Sequence, residues 1–456
     1  MPIDDPYQLD SANIKEPPTS FVESLKYLGP GFILSASIVG SGELIATTLV
    51  GAKAGFVLLW FVIFSCIVKV VVQLEFGKHA ISSGESTMKA LNSLPGPKFG
   101  KANWSVWSWL VLMLIKTMQL GGIIGGVVLG LEQLFPVLIP MRMFTTLGIG
   151  LSVSVLVYRG YYVLLEKASL VMIGAFTIFT FLSLVMLQTT ELAVTPMELG
   201  GGLVPIIPTE AALMVAIGAF GITGVGGDEI LAYNYWLIEK GYASYVGPKD
   251  DSVEWERRAK GWVRVMYWDA ILAMVCYTVV TAMFYLLGAA VLHRQDMVPA
   301  GEDLIATLGA MYTDTLGPWA KTVFMLGAIV VLYSTMFAAL AAWTRLYSDA
   351  LGQIGVVDFA NPKSRRRAIG VVAWVFPVAW AALFLSSKKP GVLVILGGLI
   401  TVVILLIVVF AALFFRYKRL DPRLRPTTIY DVALWISATA IFSVAIIGAW
   451  KLFGNV

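Results

Sequence analysis

The chain has 456 residues, of which 58% are hydrophobic and only 14% charged, with a net charge of +4 and a mean hydropathy of +0.80. A water-soluble globular chain carries about 25% charged residues, so this much apolar surface needs lipid, and the modest net charge gives no sign of a nucleic-acid binder. Two cysteines in apolar runs, Cys66 and Cys276, imply no disulfide framework, and two histidines, His79 and His293, are too few for a histidine-built metal centre.

The start, MPIDDPYQLD, is acidic and polar and lacks the basic and apolar segments of a cleaved signal. Residues 1–26 are therefore expected to form a polar N-terminal segment. A bilayer-spanning helix needs about 20 mostly apolar residues, and on that basis eleven spans are predicted at roughly 27–52, 55–80, 104–135, 140–158, 161–187, 209–239, 262–292, 317–348, 366–386, 390–417 and 430–453. The expected fold is an all-α polytopic membrane protein, with one transporter domain filling 27–456.

The first span is interrupted in its middle. Within SIVGSGELIATT, Ser37 to Thr48, two glycines and an acid stand in the run Gly40-Ser41-Gly42-Glu43. Glycine costs about 1 kcal/mol against alanine inside a helix, and an uncompensated buried carboxylate costs more. A helix broken here would leave backbone groups that must meet protein, water or a ligand. Its half-helix ends would attract anions at the N-terminal pole and cations at the C-terminal pole. In the second span Lys69 and Glu75 are expected to lie low enough to snorkel. In the third, Lys116 is deep by its flanks, as the partner of an acid or as the positive charge of an anion path. Trp104, Trp107 and Trp109 read as an interface belt.

The sixth span repeats the interruption. VGGDEILA from Val225 matches VGSGELIA from Val39 at Val, Gly, Glu and Ala, and Glu229 follows Glu43 by 186 positions. Five spans separate the two. Ten spans in two units of five, each opening on a broken helix, is the trace of an inverted repeat, with units at about 27–187 and 209–417 and the helix at 430–453 outside them. The segment from Lys240 to Gly261 reads as a loop with at most one helical turn, and Arg264 and Asp269 just after it read as interfacial. The eighth span carries Ser334-Thr335 within YSTMFAAL.

Orientation follows from the basic residues of short loops. Lys240, Lys249, Arg257, Arg258 and Lys260 follow the sixth span, Lys363, Arg365, Arg366 and Arg367 the eighth, and Arg416, Lys418, Arg419, Arg423 and Arg425 the tenth. The loop from Thr189 to Pro208 has neither Lys nor Arg. The N-terminus is thus expected in the cytoplasm and the C-terminus outside, in the cell's inner (plasma) membrane.

The stretch GPGFILSASIVGSGELIATTLVGAKAGFVLLW, Gly29 to Trp60, resembles the first span of the Nramp family of divalent-metal transporters. That family opens this span with Gly-Pro-Gly/Ala-Phe and carries Asp-Pro-Gly-Asn at the break. The resemblance implies a LeuT-type fold, with an inverted five-plus-five repeat, broken first and sixth helices and alternating access. It does not carry over the chemistry. The family's Asp falls on Gly40, its Pro on Ser41, its Gly on Gly42 and its Asn on Glu43, and its Met-Pro-His falls on Ile222, Thr223 and Gly224. The thioether that favours transition metals is missing.

Two readings of the ion follow. In one, Glu43, Asp228 and Glu229 form an oxygen-only site for Mg2+ or a similar divalent cation. In the other, the amides of Gly40, Gly42, Gly224, Gly226 and Gly227, with the hydroxyls of Ser41 and Thr223, cradle a small oxyanion. Ser334 and Thr335 would then hold a coupling Na+, as such pairs do in LeuT-type transporters. The loss of both family metal ligands tilts the sequence toward the anion, with bicarbonate as first choice. The expected protein is a secondary transporter acting as a monomer in lipid, with a small inorganic ion as its only partner. No enzyme activity, cofactor or nucleic acid is expected, and no bound ion beyond that Na+. Single cysteines placed between Lys240 and Gly261 should react with impermeant thiol reagents only from the cytoplasmic side, and those between Thr190 and Pro208 only from outside. Labelling of intact cells in the reverse pattern would refute the orientation.

Overall fold

All eleven predicted spans are helical in the computed structural model, which describes residues 5–160, 162–206 and 209–453, side chains excepted at 36, 41, 162–170, 172, 211, 452 and 453. Among the described residues nine helices are long and apolar enough to cross a membrane. The other two spans are the first, a helical run from Pro30 to Ala54 in three segments, and the fifth, Tyr162–Leu187, whose apolar part covers Ile173–Leu187. One boundary moves substantially. The seventh helix starts at Val253 and a short helix spans Tyr242–Val246, so the expected loop shrinks to a few residues. Ser252 caps the seventh helix, its Oγ accepting from Trp255 N at 3.1 Å. Arg257, Arg258 and Lys260, expected in the loop, lie in the polar first turns of a helix.

The packing is that of a LeuT-type fold. The second span (Leu59–Ser83) lies along the seventh (Val253–Leu287), and the third (Trp104–Leu134) lies along the eighth (Ala320–Gln353). Gly42 of the first meets Ile222 of the sixth. Each of these is a pairing of a helix with its counterpart five spans later, as an inverted repeat folded about a central axis requires. The fourth, fifth and eleventh spans (Arg142–Arg159, Tyr162–Leu187, Thr428–Phe453) lie at the periphery, where Phe144, Ile178 and Trp450 are exposed. Trp109 does not belong to an interface belt: it is fully buried against Tyr347, whereas Trp107 is exposed.

Asp269 is not interfacial. It is fully buried, and its two oxygens accept from Gly29 N at 2.8 Å and Gly31 N at 2.6 Å, with Tyr233 Oη donating at 3.0 Å. It thus satisfies N–H groups that the start of the first span would otherwise leave open and places a negative charge on that helix's positive pole. The N-terminal segment crosses the same end of the molecule. Tyr7 Oη donates to Glu239 (2.6 Å), Trp262 Nε1 to Lys15 O (2.9 Å) and Arg264 to Pro18 O (2.9 Å).

The sixth and tenth spans cross at glycines. A Cβ on Gly398 would collide with the backbone carbonyl of Gly218, whose Cα would stand only 3.3 Å away. Gly398→Val should therefore force the helices apart and destabilise the protein by about 1–3 kcal/mol or more. The expected readout is a lower melting temperature or loss of the monodisperse peak in detergent. Gly148→Ala, at a position with open space around it, should leave both unchanged.

Candidate functional site

The sixth span breaks between Ile222, where its first half Glu210–Ile222 ends, and Gly227, where its second half Gly227–Lys240 begins. Thr223 is extended, with φ −76° and ψ 131°, and Gly224 turns the chain at φ +64°, a backbone state that L side chains rarely adopt. Side chains from other helices satisfy the exposed backbone. Glu43 Oε1 accepts from Gly224 N at 3.2 Å and from Thr281 Oγ1 at 2.7 Å. The hydroxyls of Thr47 and Thr223 lie 3.2 Å apart. Lys69, fully buried, donates from Nζ to Phe220 O at 2.6 Å and to Thr223 O. Cys66 and Tyr277 pack against Gly224, where a Cβ would sit 3.1 Å from Cys66 Sγ and 3.2 Å from the Tyr277 ring.

In the first span the interruption takes the form of π-winding over Val39–Thr47 rather than an extended stretch. Thr47 Oγ1 donates to Gly42 O at 2.9 Å, and Thr48 Oγ1 reaches Glu43 O at 3.4 Å. These hydroxyls bond carbonyls five residues back, where the wider turn has moved them away from the ordinary partner. The small residues admit close neighbours. A side chain on Gly40 would collide with Thr335 Oγ1 and stand 3.1 Å from Val331 O, and one on Gly42 would stand 2.5 Å from Ile222 O.

Most of the expected site residues therefore converge on one place. Gly40, Gly42, Glu43, Thr223, Gly224 and Thr335 meet where the first, sixth and eighth spans approach. The side chain of Ser41 lies outside the described residues. Ser334 turns its hydroxyl back to Val331 O of its own helix at 2.9 Å, the local bond open to any mid-helix serine. Gly227 is small for packing: a Cβ there would meet Ile404 Cγ2 of the tenth span at 2.8 Å. Asp228 pairs with Lys116 of the third span and accepts from Trp343 Nε1 at 3.0 Å. Glu229 folds back beside Gly226, and its Oε2 accepts no hydrogen bond from the described residues. Glu43 Oε2 is buried in the same condition. A narrow cleft lined by Ile33, Leu34, Ser37, Ala232 and Trp236 reaches Asp228 and Glu229.

Residues 31–451 match the profile of a family described as natural resistance-associated macrophage protein-like, Nramp. The chain belongs to the Nramp family. It is 25% identical over 344 residues to a protein of Pasteurella multocida, covering 71% of this chain and 70% of that one. It is 23% identical over 423 residues to the divalent metal cation transporter MntH of Bacillus subtilis, covering 91% and 90%. Its structure superposes on a crystal structure of a mutant of the Eremococcus coleocola manganese transporter with a TM-score of 0.68 at 15% identity, over 98% of this chain and 93% of that one.

Within the Nramp frame, the positions that correspond to the family's first-span and sixth-span motifs face each other here, Gly40 and Gly42 on one side and Ile222 to Gly224 on the other. Glu43, itself in the first-span motif, is joined at the break by Thr47, Lys69 and Thr281. Sequence reading missed Thr47, Thr281, Cys66 and Tyr277, which look like ordinary residues of apolar helices. It placed Lys69 in a snorkelling position, whereas the ammonium is sealed at the end of a half-helix. Proximity to a predicted break four spans away was the one available signal for Lys69. For Lys116 the acid partner was one of two readings, and Asp228 is that partner. A buried pair broken on one side leaves an uncompensated charge, at a cost of about 3–5 kcal/mol. Lys116→Met should therefore lower the melting temperature markedly. The double variant Lys116→Met/Asp228→Asn should recover most of the loss, and additive losses in that cycle would show that the two groups are not coupled.

Proposed function

We propose that this Nramp-family secondary transporter carries a hard divalent metal cation, of the Mg2+ or Mn2+ type, through the break between the first and sixth spans. The observation that carries this reading is the pair of buried carboxylate oxygens, Glu43 Oε2 and Glu229 Oε2, which accept no hydrogen bond from the described residues and belong to side chains beside Gly224 and Gly226 of the broken segment. A carboxylate oxygen sealed from water without a donor calls for a cation or a proton. Three acids, Glu43, Asp228 and Glu229, stand there against two lysines, Lys69 and Lys116. Both ammoniums already have protein partners, so a carbonate-like anion would meet excess negative charge.

The relatives support the cation as well: the Bacillus subtilis protein is named a divalent metal cation transporter and the Eremococcus coleocola protein a manganese transporter. Bicarbonate with Na+, the first choice from sequence alone, has no such support, and Ser334 directs its hydroxyl into its own helix. Oxygen donors without a thioether suit hard ions that keep part of their hydration. The basic loops support a cytoplasmic N-terminus. The cleft to Asp228 and Glu229 lies among Ile33, Ser37 and Trp236, in the halves of the first and sixth spans nearer that side.

Purified protein in sealed liposomes should take up Mg2+ saturably. Mn2+ should compete, the softer Cd2+ should compete weakly, and a Na+ gradient should have no effect. Glu43→Gln and Glu229→Gln should each lower uptake by about tenfold or more, equivalent to about 1.4 kcal/mol or more of binding. Saturable bicarbonate uptake that needs Na+, with none of Mg2+ or Mn2+, would overturn the assignment.

A further inference from the structure

The ammonium of Lys69 stands at the C-terminal pole of the first half of the sixth span. That half-helix ends at Ile222, and Nζ donates to Phe220 O at 2.6 Å and to Thr223 O, carbonyls of its last turn and of the residue that follows it. A helix end of this kind carries partial negative charge and open carbonyl oxygens. In transporters with broken helices such carbonyls and half-helix C-termini are where a coupling cation binds. Lys69 is fully buried, and its Nζ also lies 5.0 Å from the centre of the Phe220 ring. The nearest acid on the first span, Glu43, directs Oε1 to Gly224 N and Thr281 Oγ1 rather than to the ammonium. The ligands of Lys69 are thus backbone carbonyls, the donor type that binds an alkali ion.

We propose that Lys69 is a built-in monovalent cation, which permanently fills the alkali-ion position of the sixth-span break and makes transport independent of bound Na+ or K+. The tether is the four-carbon stem anchored on the second span. It removes the entropy cost of recruiting an ion and keeps one positive charge at the break through every stage of transport. The exchangeable charge is then the cargo beside Glu43 and Glu229. This last statement rests on the reading of the break as a cation site, whereas the occupancy of the half-helix end by Lys69 does not.

The test uses full-length protein and small cations as probes. Lys69→Gln keeps an N–H donor of similar reach and removes the charge. It should fold and lose most of its uptake, at least tenfold. Lys69→Ala opens space for an ion. Purified throughout in methylammonium chloride, it should melt several degrees higher than in choline chloride at the same ionic strength. The wild type should show no difference between the two salts. Uptake by Lys69→Ala should return in methylammonium, Na+ or K+ and depend on its concentration. Wild-type uptake by Lys69→Gln would show that a hydrogen-bonding cap suffices and would overturn the proposal. So would a Lys69→Ala protein that methylammonium, Na+ and K+ neither fold, stabilise nor reactivate. The melting response is independent of cargo, so it stands or falls separately from the assignment of Mg2+.

Discussion

The four residues between the two halves of the sixth span impose the constraint around which the rest is arranged. Thr223 to Gly226 leave the helical hydrogen-bond ladder in the middle of an apolar bundle, where no bulk water can replace the lost partners. Groups they expose are met by side chains of other helices. Glu43 takes the amide of Gly224 from the first span, Lys69 takes the carbonyl of Thr223 from the second, and Thr47 meets the Thr223 hydroxyl. Thr281 from the seventh then orients Glu43. Three helices are thereby tied to one non-helical turn of the sixth. The charges cannot be relocated without exposing a backbone group, and this accounts for an acid and a base so deep in lipid-embedded helices.

The same constraint explains why the first span winds as a π-helix where the sixth opens completely. The first must bring Glu43 across to Gly224 while Gly40 lies against Thr335 and Gly42 against Ile222. A π-turn adds a residue per turn and widens the helix, which redirects side chains yet keeps the backbone bonded. Thr47 and Thr48 assist by donating to the displaced carbonyls of Gly42 and Glu43. Two octets of similar sequence thus give two geometries. VGSGELIA is followed by Thr47 and Thr48, which stitch its turn, whereas VGGDEILA is preceded by Thr223-Gly224, which turns the chain outright.

The number of spans, their order and the place of both interruptions were legible because hydropathy and glycine clusters are local signals. Glu43 stood out because a lone acid in an apolar helix has no inexpensive local explanation, and its carboxylate lies at the sixth-span break. Lys69, Asp269 and Trp109 were misplaced for a common reason. Each is stabilised by a partner distant in sequence, namely the end of the sixth span, the start of the first span and a ring of the eighth. No periodicity within their own helices records this. The long stretch from Lys240 to Gly261 was misread differently: it lies between two apolar runs, and a helix that leaves the bilayer becomes polar and continues beyond its apolar part. Charges are counted by composition, which cannot pair them. Lys116 favours an anion only while it is free, and Asp228 holds it.

The Lys116–Asp228 pair also bears on how such a site can open. Asp228 stands in the first turn of the second half-helix, and Lys116 and Trp343 stand on the third and eighth spans, which pack against each other. Access from that side requires the half-helix to part from those two spans. In a purely apolar seam the parting would expose hydrocarbon to water at full cost, about 25 cal/mol for each Å². Where a buried ion pair forms the seam, water entering the gap rehydrates both charges as their attraction is lost, and the two effects are of similar size. The closed state is then held by geometry and by the Trp343 hydrogen bond more than by net electrostatic energy. A small difference in binding energy between the two states is enough to shift their populations, which is the condition a carrier must meet if its cargo is to drive the change from one access to the other.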